Sequence, residues 1–353
     1  MSRCKTKLLI MLTILSLSYN LYAQATGVEN LIDDTKKDTD TTRDILDYKP
    51  KSLSAYISTK MEYDSNVYKT DNDALWDQGN RKKGDTIWKN TIFTDYNFNT
   101  EEDHALGVKY VGEFDYYHNN KNKELGMHDL GLFYQYDMDP DPISLRTDLD
   151  YKFIRIGEEA FMTTKECVGL IKVKYNELFE TSTSIFNKGE YRVDFAYNQY
   201  KDNYNNIQNE SGLDSVFKYK HIISFSKARF PIIAKYIKDI SCGLEYKNAS
   251  PRNNDSKYAE FKIRPKVKFQ TLPFKMTASI EWVHYDRQYD YRVSDNGGEH
   301  RRDRRDDAKF GLAKRLNKYL TLNINYTRGW RDSNVSTAEY RQNVYAISVS
   351  AFF

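Results

Sequence analysis

The chain has 353 residues, with 53 Lys and Arg against 50 Asp and Glu, and its net charge of +3 gives no reason to expect a nucleic-acid partner. Three cysteines are too few for an exported protein held together by disulfides. After the N-terminal segment, no apolar run is long enough to predict a transmembrane helix.

Residues 1–25 have the pattern of a cleaved secretory signal peptide. A basic stretch precedes a short apolar core, and Ala23-Gln24-Ala25 offers small residues for cleavage. The core is too short to span a bilayer stably, which disfavours a transmembrane anchor. Residues 26–50 are polar and have no period, so we expect a flexible periplasmic segment there.

From residue 51 onward, apolar residues recur at every second position, which is the period of a strand with one apolar face. We count about 14 such strands, although 12 or 16 also fit. Long connections after odd strands and short ones after even strands are typical of outer-membrane barrels. The sequence therefore predicts an all-β fold, a transmembrane antiparallel up-and-down β-barrel over residues 51–353, with both termini periplasmic.

Two places fit this pattern less well. The even connection at residues 227–238 is long and apolar, so either the adjacent strands extend into it or the strand count slips there. Pro265 lies inside a strand and cannot donate to the ladder, which predicts a β-bulge.

Cys167 and Cys242 fall on the lipid side of non-neighbouring strands, and we expect free thiols.

The last predicted strand, residues 340–353, keeps its apolar alternation to the final residue, Phe353. A soluble chain usually ends in a frayed polar tail, although a soluble sheet that ends on a strand remains the alternative. A terminal aromatic in register resembles the signal that the barrel-insertion machinery reads in outer-membrane barrels. We therefore expect Phe353 to act as an assembly signal and that machinery to be a partner.

No sequence motif predicts catalysis, a cofactor or a bound metal. We find no P-loop, HExxH, CxxC or GxSxG pattern, and the six histidines are scattered. Four acidic residues of the first outer loop form either a solvated loop or a weak calcium site, and these are Asp64, Asp71, Asp73 and Asp77. We expect no enzyme activity.

Charged residues alternate with apolar ones and are predicted to face the lumen, where a wet interior tolerates them. The basic track comprises Lys262, Arg264, Lys266, Lys268 and Lys275. The acidic wall comprises Glu113, Asp115, Asp148 and Asp150. Two interpretations remain open: a salt-bridged, partly closed lumen, or a transverse field with a basic track for anions. Lumen-facing Tyr56 and Tyr285 are expected to offer rings for stacking on sugars.

The stretch EYDSNVYKT at residues 62–70, behind a Leu-x-Ala-x-Ile strand, resembles the start of the β-barrel porin 2 type family, which is associated with exopolysaccharide biosynthesis. The terminal YAISVSAFF also fits. The resemblance implies an outer-membrane location among lipid and lipopolysaccharide, and a role in exporting or anchoring an anionic polysaccharide.

Three other functions remain open. Barrels of the surface-lipoprotein assembly type have similar motifs but carry a helical-repeat domain, for which residues 26–50 are too short. A structural or adhesive surface protein would act through outer loops such as HRRDRRDD at residues 300–307. A barrel enzyme would need reactive groups at the rim. We expect the protein to be monomeric.

Overall fold

A computed structural model describes eleven segments of the chain: residues 53–67, 84–100, 103–138, 143–157, 159–175, 185–200, 211–225, 230–251, 257–273, 276–293 and 298–353. The predicted signal peptide (1–25), the periplasmic segment (26–50), the loop residues Asp71, Asp73 and Asp77, and Lys275 lie outside the described residues.

The described residues form a barrel of 14 strands, as the alternation predicts. The strands are β1 (Leu53–Asp64), β2 (Asp85–Thr100), β3 (His104–Tyr117), β4 (Leu125–Met138), β5 (Ile143–Ile156), β6 (Glu159–Lys174), β7 (Ile185–Tyr200), β8 (Gly212–Phe225), β9 (Ile237–Pro251), β10 (Tyr258–Leu272), β11 (Met276–Val293), β12 (His300–Arg315), β13 (Leu320–Ser333) and β14 (Tyr340–Phe352). Each strand pairs antiparallel with the next, and β14 pairs with β1, so the sheet closes without an edge.

The two faces of the sheet reverse the usual distribution of a soluble protein. Large apolar side chains point outward and stay exposed, such as Leu130 at 60% and Tyr345 at 54%. Charged side chains such as Asp148 and Glu166 point inward and are buried at 7% exposure. This arrangement is stable only when lipid covers the outer face. Both described cysteines, Cys167 and Cys242, are free, as predicted.

We call the end of the barrel that carries the start of β1 and the end of β14 the terminal end, and the opposite end the loop end. The predicted alternation of long and short connections is only partly right. β5 ends at Ile156 and β6 begins at Glu159, so this connection is short although it follows an odd strand, and Gly157 has φ 58°. On the terminal end, β6 ends at Lys174 and β7 begins only at Ile185.

The charged run at residues 300–307, predicted to be an outer loop, is the beginning of β12. Arg301 donates to Asp303, and Arg305 donates to Asp307, all four inside the barrel. Arg302 lies on the outside and pairs with Asp286 of β11. Because both faces of the beginning of β12 are charged, the period of two leaves no apolar signal in this part of the sequence.

The two exceptional places have different outcomes. Residues 231–236 form a short helix, α1 (Pro231–Tyr236), and β9 begins at Ile237, so the ninth strand extends into the end of the apolar connection and the strand count is unaffected. At Pro265 the bulge prediction is wrong. The register with β9 continues unshifted, and the register with β11 resumes unshifted from Ile263–His284 to Lys266–Glu281. Pro265 has no N–H to donate, and the pairing of β10 with β11 is interrupted at Arg264 and Pro265.

None of the described helices is long and apolar enough to cross a membrane, a finding that does not bear on strands.

Gly131 of β4 sits where the wall has no room for a side chain. A Cβ at this position would lie 2.1 Å from Asp150 Oδ1 and 2.5 Å from Lys109 Cε. We expect Gly131→Ala to cost about 1–3 kcal/mol in the free energy of unfolding, because the ion pair must move. Urea titration in lipid vesicles measures this change.

The matched control is Gly243→Ala in β9, where the nearest heavy atom would be 3.6 Å from the new Cβ. That variant should unfold within about 0.5 kcal/mol of the wild type. Equal unfolding midpoints for the two variants would contradict the crowded packing around Gly131.

Candidate functional site in the barrel lumen

The lumen contains a cavity of about 800 Å³ whose lining includes residues from every strand. Among the lining residues are 15 Lys or Arg and 10 Asp or Glu, an excess of five positive charges. The side chains that line the cavity therefore carry a net positive charge.

On β1–β5, carboxylates outnumber cations, and single cations bridge pairs of carboxylates. Lys109 Nζ lies 2.8 Å from Asp148 Oδ2 and 2.9 Å from Asp150 Oδ2. Lys89 Nζ lies 3.2 Å from Asp115 Oδ2 and also contacts Glu62. We call this surface the acidic wall.

The four residues of the predicted acidic wall lie on it, and each is buried: Glu113, Asp115, Asp148 and Asp150.

On β8–β12 the stoichiometry is inverted, and single carboxylates are shared by several cations. Glu281 lies 3.4 Å from Arg264 Nε and 3.1 Å from Lys266 Nζ. Glu245 lies 2.6 Å from Lys262 Nζ and 3.7 Å from Lys218 Nζ. We call this surface the basic wall.

The structure places four predicted track residues on the basic wall and shows that they are ion-paired: Lys262, Arg264, Lys266 and Lys268.

The two walls differ in how far their charged groups reach the open lumen. Side chains of the basic wall remain accessible, with Lys218 at 31%, Lys220 at 33% and Lys268 at 30% exposure. The acidic wall is covered, with Asp148 at 9% and Asp150 at 0%. The accessible charge of the lumen is therefore mainly positive, although both signs are present.

Between the walls, β13, β14 and the beginning of β1 present uncharged polar side chains. Asn325 of β13 is exposed to the lumen, and Asn323 donates to Ser348 Oγ at 3.4 Å. Ser350 Oγ lies 3.1 Å from Ser58 Oγ and 3.2 Å from the hydroxyl of Tyr56. We call this surface the uncharged wall.

The two predicted stacking tyrosines differ in accessibility. Tyr56 lines the cavity, and its ring packs against Phe352 with centroids 5.0 Å apart. Tyr285 is 6% exposed, and its ring is covered by Lys262 Nζ at 4.7 Å and by Arg305 at 5.2 Å. Tyr285 therefore lies inside the barrel, as predicted, but its ring has no free face for a sugar.

Towards the loop end, two clusters fill part of the barrel. On β10–β14, arginines stack on buried tyrosines, with Arg287 4.4 Å from the Tyr258 ring and Arg331 4.9 Å from the Tyr340 ring. On β4–β7, an apolar cluster comprises Leu125, Ile154, Ile156, Phe161, Met162 and Tyr200. The sequence pattern did not predict either cluster, because each needs side chains from several strands.

Within the described segments, no group of three or more His, Cys, Asp or Glu side chains has the arrangement of a metal site.

Comparisons with known proteins agree with this architecture. The family "Putative beta-barrel porin 2" matches residues 275–353, which confirms the resemblance over the last four strands. No curated protein matches.

Among solved structures, OccAB4 of Acinetobacter baumannii is 8% identical, with 86% of this chain and 99% of that chain covered and a TM-score of 0.42. CdiB of Acinetobacter baumannii is 6% identical, with 86% and 60% covered and a TM-score of 0.50. OccK2 (OpdF) of Pseudomonas aeruginosa, solved with glucuronate, is 8% identical, with 85% and 98% covered and a TM-score of 0.43.

The closed 14-strand sheet, the apolar outer face and the polar lumen define a porin-like outer-membrane β-barrel.

Proposed function

We propose that this barrel is a channel that passes anionic solutes across the outer membrane. The observation that carries the proposal is the difference in exposure between the walls. Lysine ammonium groups of the basic wall reach the open lumen, while the carboxylates of the acidic wall are covered. In a confined pore, accessible cations raise the local concentration of anions and disfavour cations.

The ion-paired lumen and the basic track, which the sequence left as alternatives, coexist in this proposal. Glu281 and Glu245 of the basic wall are each shared among several cations, so pairing leaves a net positive surface around them. Weak, shared contacts suit passage, because a solute must both enter and leave each site.

Within this class, we propose an anionic polysaccharide or its fragments as cargo. Support comes from the uncharged wall, whose hydroxyl and amide groups beside the ring of Tyr56 match the hydroxyls and faces of sugars. An assembly-type or adhesive protein remains the alternative, and the proposal predicts steady conductance that such proteins need not show. We propose no catalytic role for any described residue.

Selectivity in planar bilayers tests the channel proposal. Wild-type protein in a salt gradient should give a reversal potential on the anion side. Changing Lys218, Lys220 and Lys268 to Glu should shift it towards cations, because about a third of each of these basic-wall side chains is exposed. Lys262 is less informative, since only 13% of its side chain is exposed.

The matched control changes Arg302, Arg304 and Arg328 to Glu. These arginines lie on the outer surface of β12 and β13, so the same change in net charge should leave the reversal potential unaltered. A wild type without anion preference, or equal shifts in both triple variants, would remove the proposed function.

A further inference from the structure

One position on the cavity lining brings uncharged polar groups and a cation together. Ser279 of β11, Gly311 of β12 and Asn325 of β13 are directly opposite one another in the sheet register. All three line the cavity, and their side-chain positions face the lumen. The next row towards the loop end holds Glu281 and Lys309.

Gly311 allows the two polar side chains to converge. A Cβ on Gly311 would lie 2.8 Å from Ser279 Oγ and 2.9 Å from Asn325 Oδ1. The two oxygens therefore approach the same point above the glycine from neighbouring strands. An oxygen acceptor on one side and a hydroxyl on the other can hold one solute hydroxyl between them.

A cation stands beside this point. Lys309 Nζ lies 3.7 Å from Glu281 Oε1, and 23% of the lysine side chain remains exposed. Glu281 forms ion pairs with three cations, Arg264, Lys266 and Lys309, so its negative charge is more than balanced. A carboxylate that enters from the lumen therefore meets net positive charge one row of side chains away from Ser279, Gly311 and Asn325.

We infer that Ser279, Gly311 and Asn325 form a subsite that binds a hydroxyl of a hydroxylated carboxylate while the carboxylate contacts Lys309 and the basic wall. This inference rests on the proposed anion channel and adds a preference within it. A channel using charge alone would treat acids of equal charge and length alike. This subsite discriminates by hydroxyl content.

Two six-carbon monocarboxylates, gluconate and hexanoate, are suitable probes, since they differ in hydroxyl groups. Their permeabilities relative to chloride follow from reversal potentials under bi-ionic conditions. Asn325→Leu should lower the gluconate-to-hexanoate ratio by about 2- to 10-fold, the range for one lost hydrogen bond. The chloride-to-potassium ratio should stay at its wild-type value, because no charge changes.

Gly311→Ala is a second variant, because the added methyl group displaces Ser279 and Asn325 without removing them. It should lower the ratio in the same direction. The matched control is Thr91→Val on β2, which removes a hydroxyl that lines the cavity beside the acidic wall. It should leave the ratio unchanged.

The outcomes separate this inference from the proposed function. An anion-selective wild type whose gluconate-to-hexanoate ratio survives Asn325→Leu and Gly311→Ala, or falls equally with Thr91→Val, overturns the subsite alone. A wild type without anion selectivity overturns both.

Discussion

Lys109→Met should destabilise the barrel by about 3–5 kcal/mol, the usual cost of leaving a buried charge without its partner. Lys109 is 6% exposed and contacts two carboxylates. Asp148 keeps Arg146 at 2.7 Å, but the side chain of Asp150 is wholly buried and loses the cation 2.9 Å away. Urea unfolding in vesicles, followed by tryptophan fluorescence, measures the loss.

Two variants identify the cause. Lys109→Met combined with Asp150→Asn should recover most of the stability, because the uncompensated charge is gone. Lys220→Met should change little, since Lys220 is 33% exposed and its partner Glu190 keeps Lys188 at 3.5 Å. A Lys109→Met protein as stable as Lys220→Met would show that the acidic wall is hydrated rather than buried.

Deleting Phe353 should remove most of the folded barrel from the outer membrane while export continues. In the structure, Phe353 N donates to Ala55 O at 2.9 Å, and Phe353 O accepts from Ala55 N at 3.4 Å. Its ring stacks on Tyr319 with centroids 6.3 Å apart and remains 61% exposed. Folded protein is the fraction that migrates faster in SDS without boiling.

The substitution Phe353→Leu separates recognition from stability. Phe353→Leu keeps the two backbone hydrogen bonds to Ala55. The deletion removes them, at a cost of about 0.5–1.5 kcal/mol each, which is too little to unfold a barrel. If the aromatic ring is what the insertion machinery recognises, both variants should assemble poorly in cells and refold normally in vesicles. Normal surface levels of Phe353→Leu would exclude this role for the ring.

The fold was predictable because lipid imposes a strict period of two on one face. A strand with an apolar outer face can be recognised from its sequence, as β4 can from Leu130 and Leu132. The prediction failed where strands continue beyond the lipid. The beginning of β12 carries Arg302 outside and Arg301 inside, so no alternation of polarity marks it as a strand.

The candidate site was predictable in its charges but not in its accessibility. Alternation places Lys268 and Asp150 in the lumen, yet the exposed fractions of their side chains, 30% and 0%, depend on partners from other strands. Tyr285 illustrates the same limit, since the cations that cover its ring come from β10 and β12. Asn325 had no distinguishing signal, because its role depends on facing Gly311.

The length of β11 has an electrical consequence. Its 18 residues, at about 3.3 Å each and a tilt of about 40°, rise about 45 Å, whereas the apolar band of such barrels is about 25 Å tall. The outer face of β11 is apolar up to Trp282 and polar from His284 onward, so the excess height stands outside the lipid. The resistance of an aqueous pore grows in proportion to its length. On the side of β11 the pore wall is therefore nearly twice as tall as the apolar band, and a solute or ion on that side should meet a longer resistive path than in an equally wide pore that ended at the lipid surface.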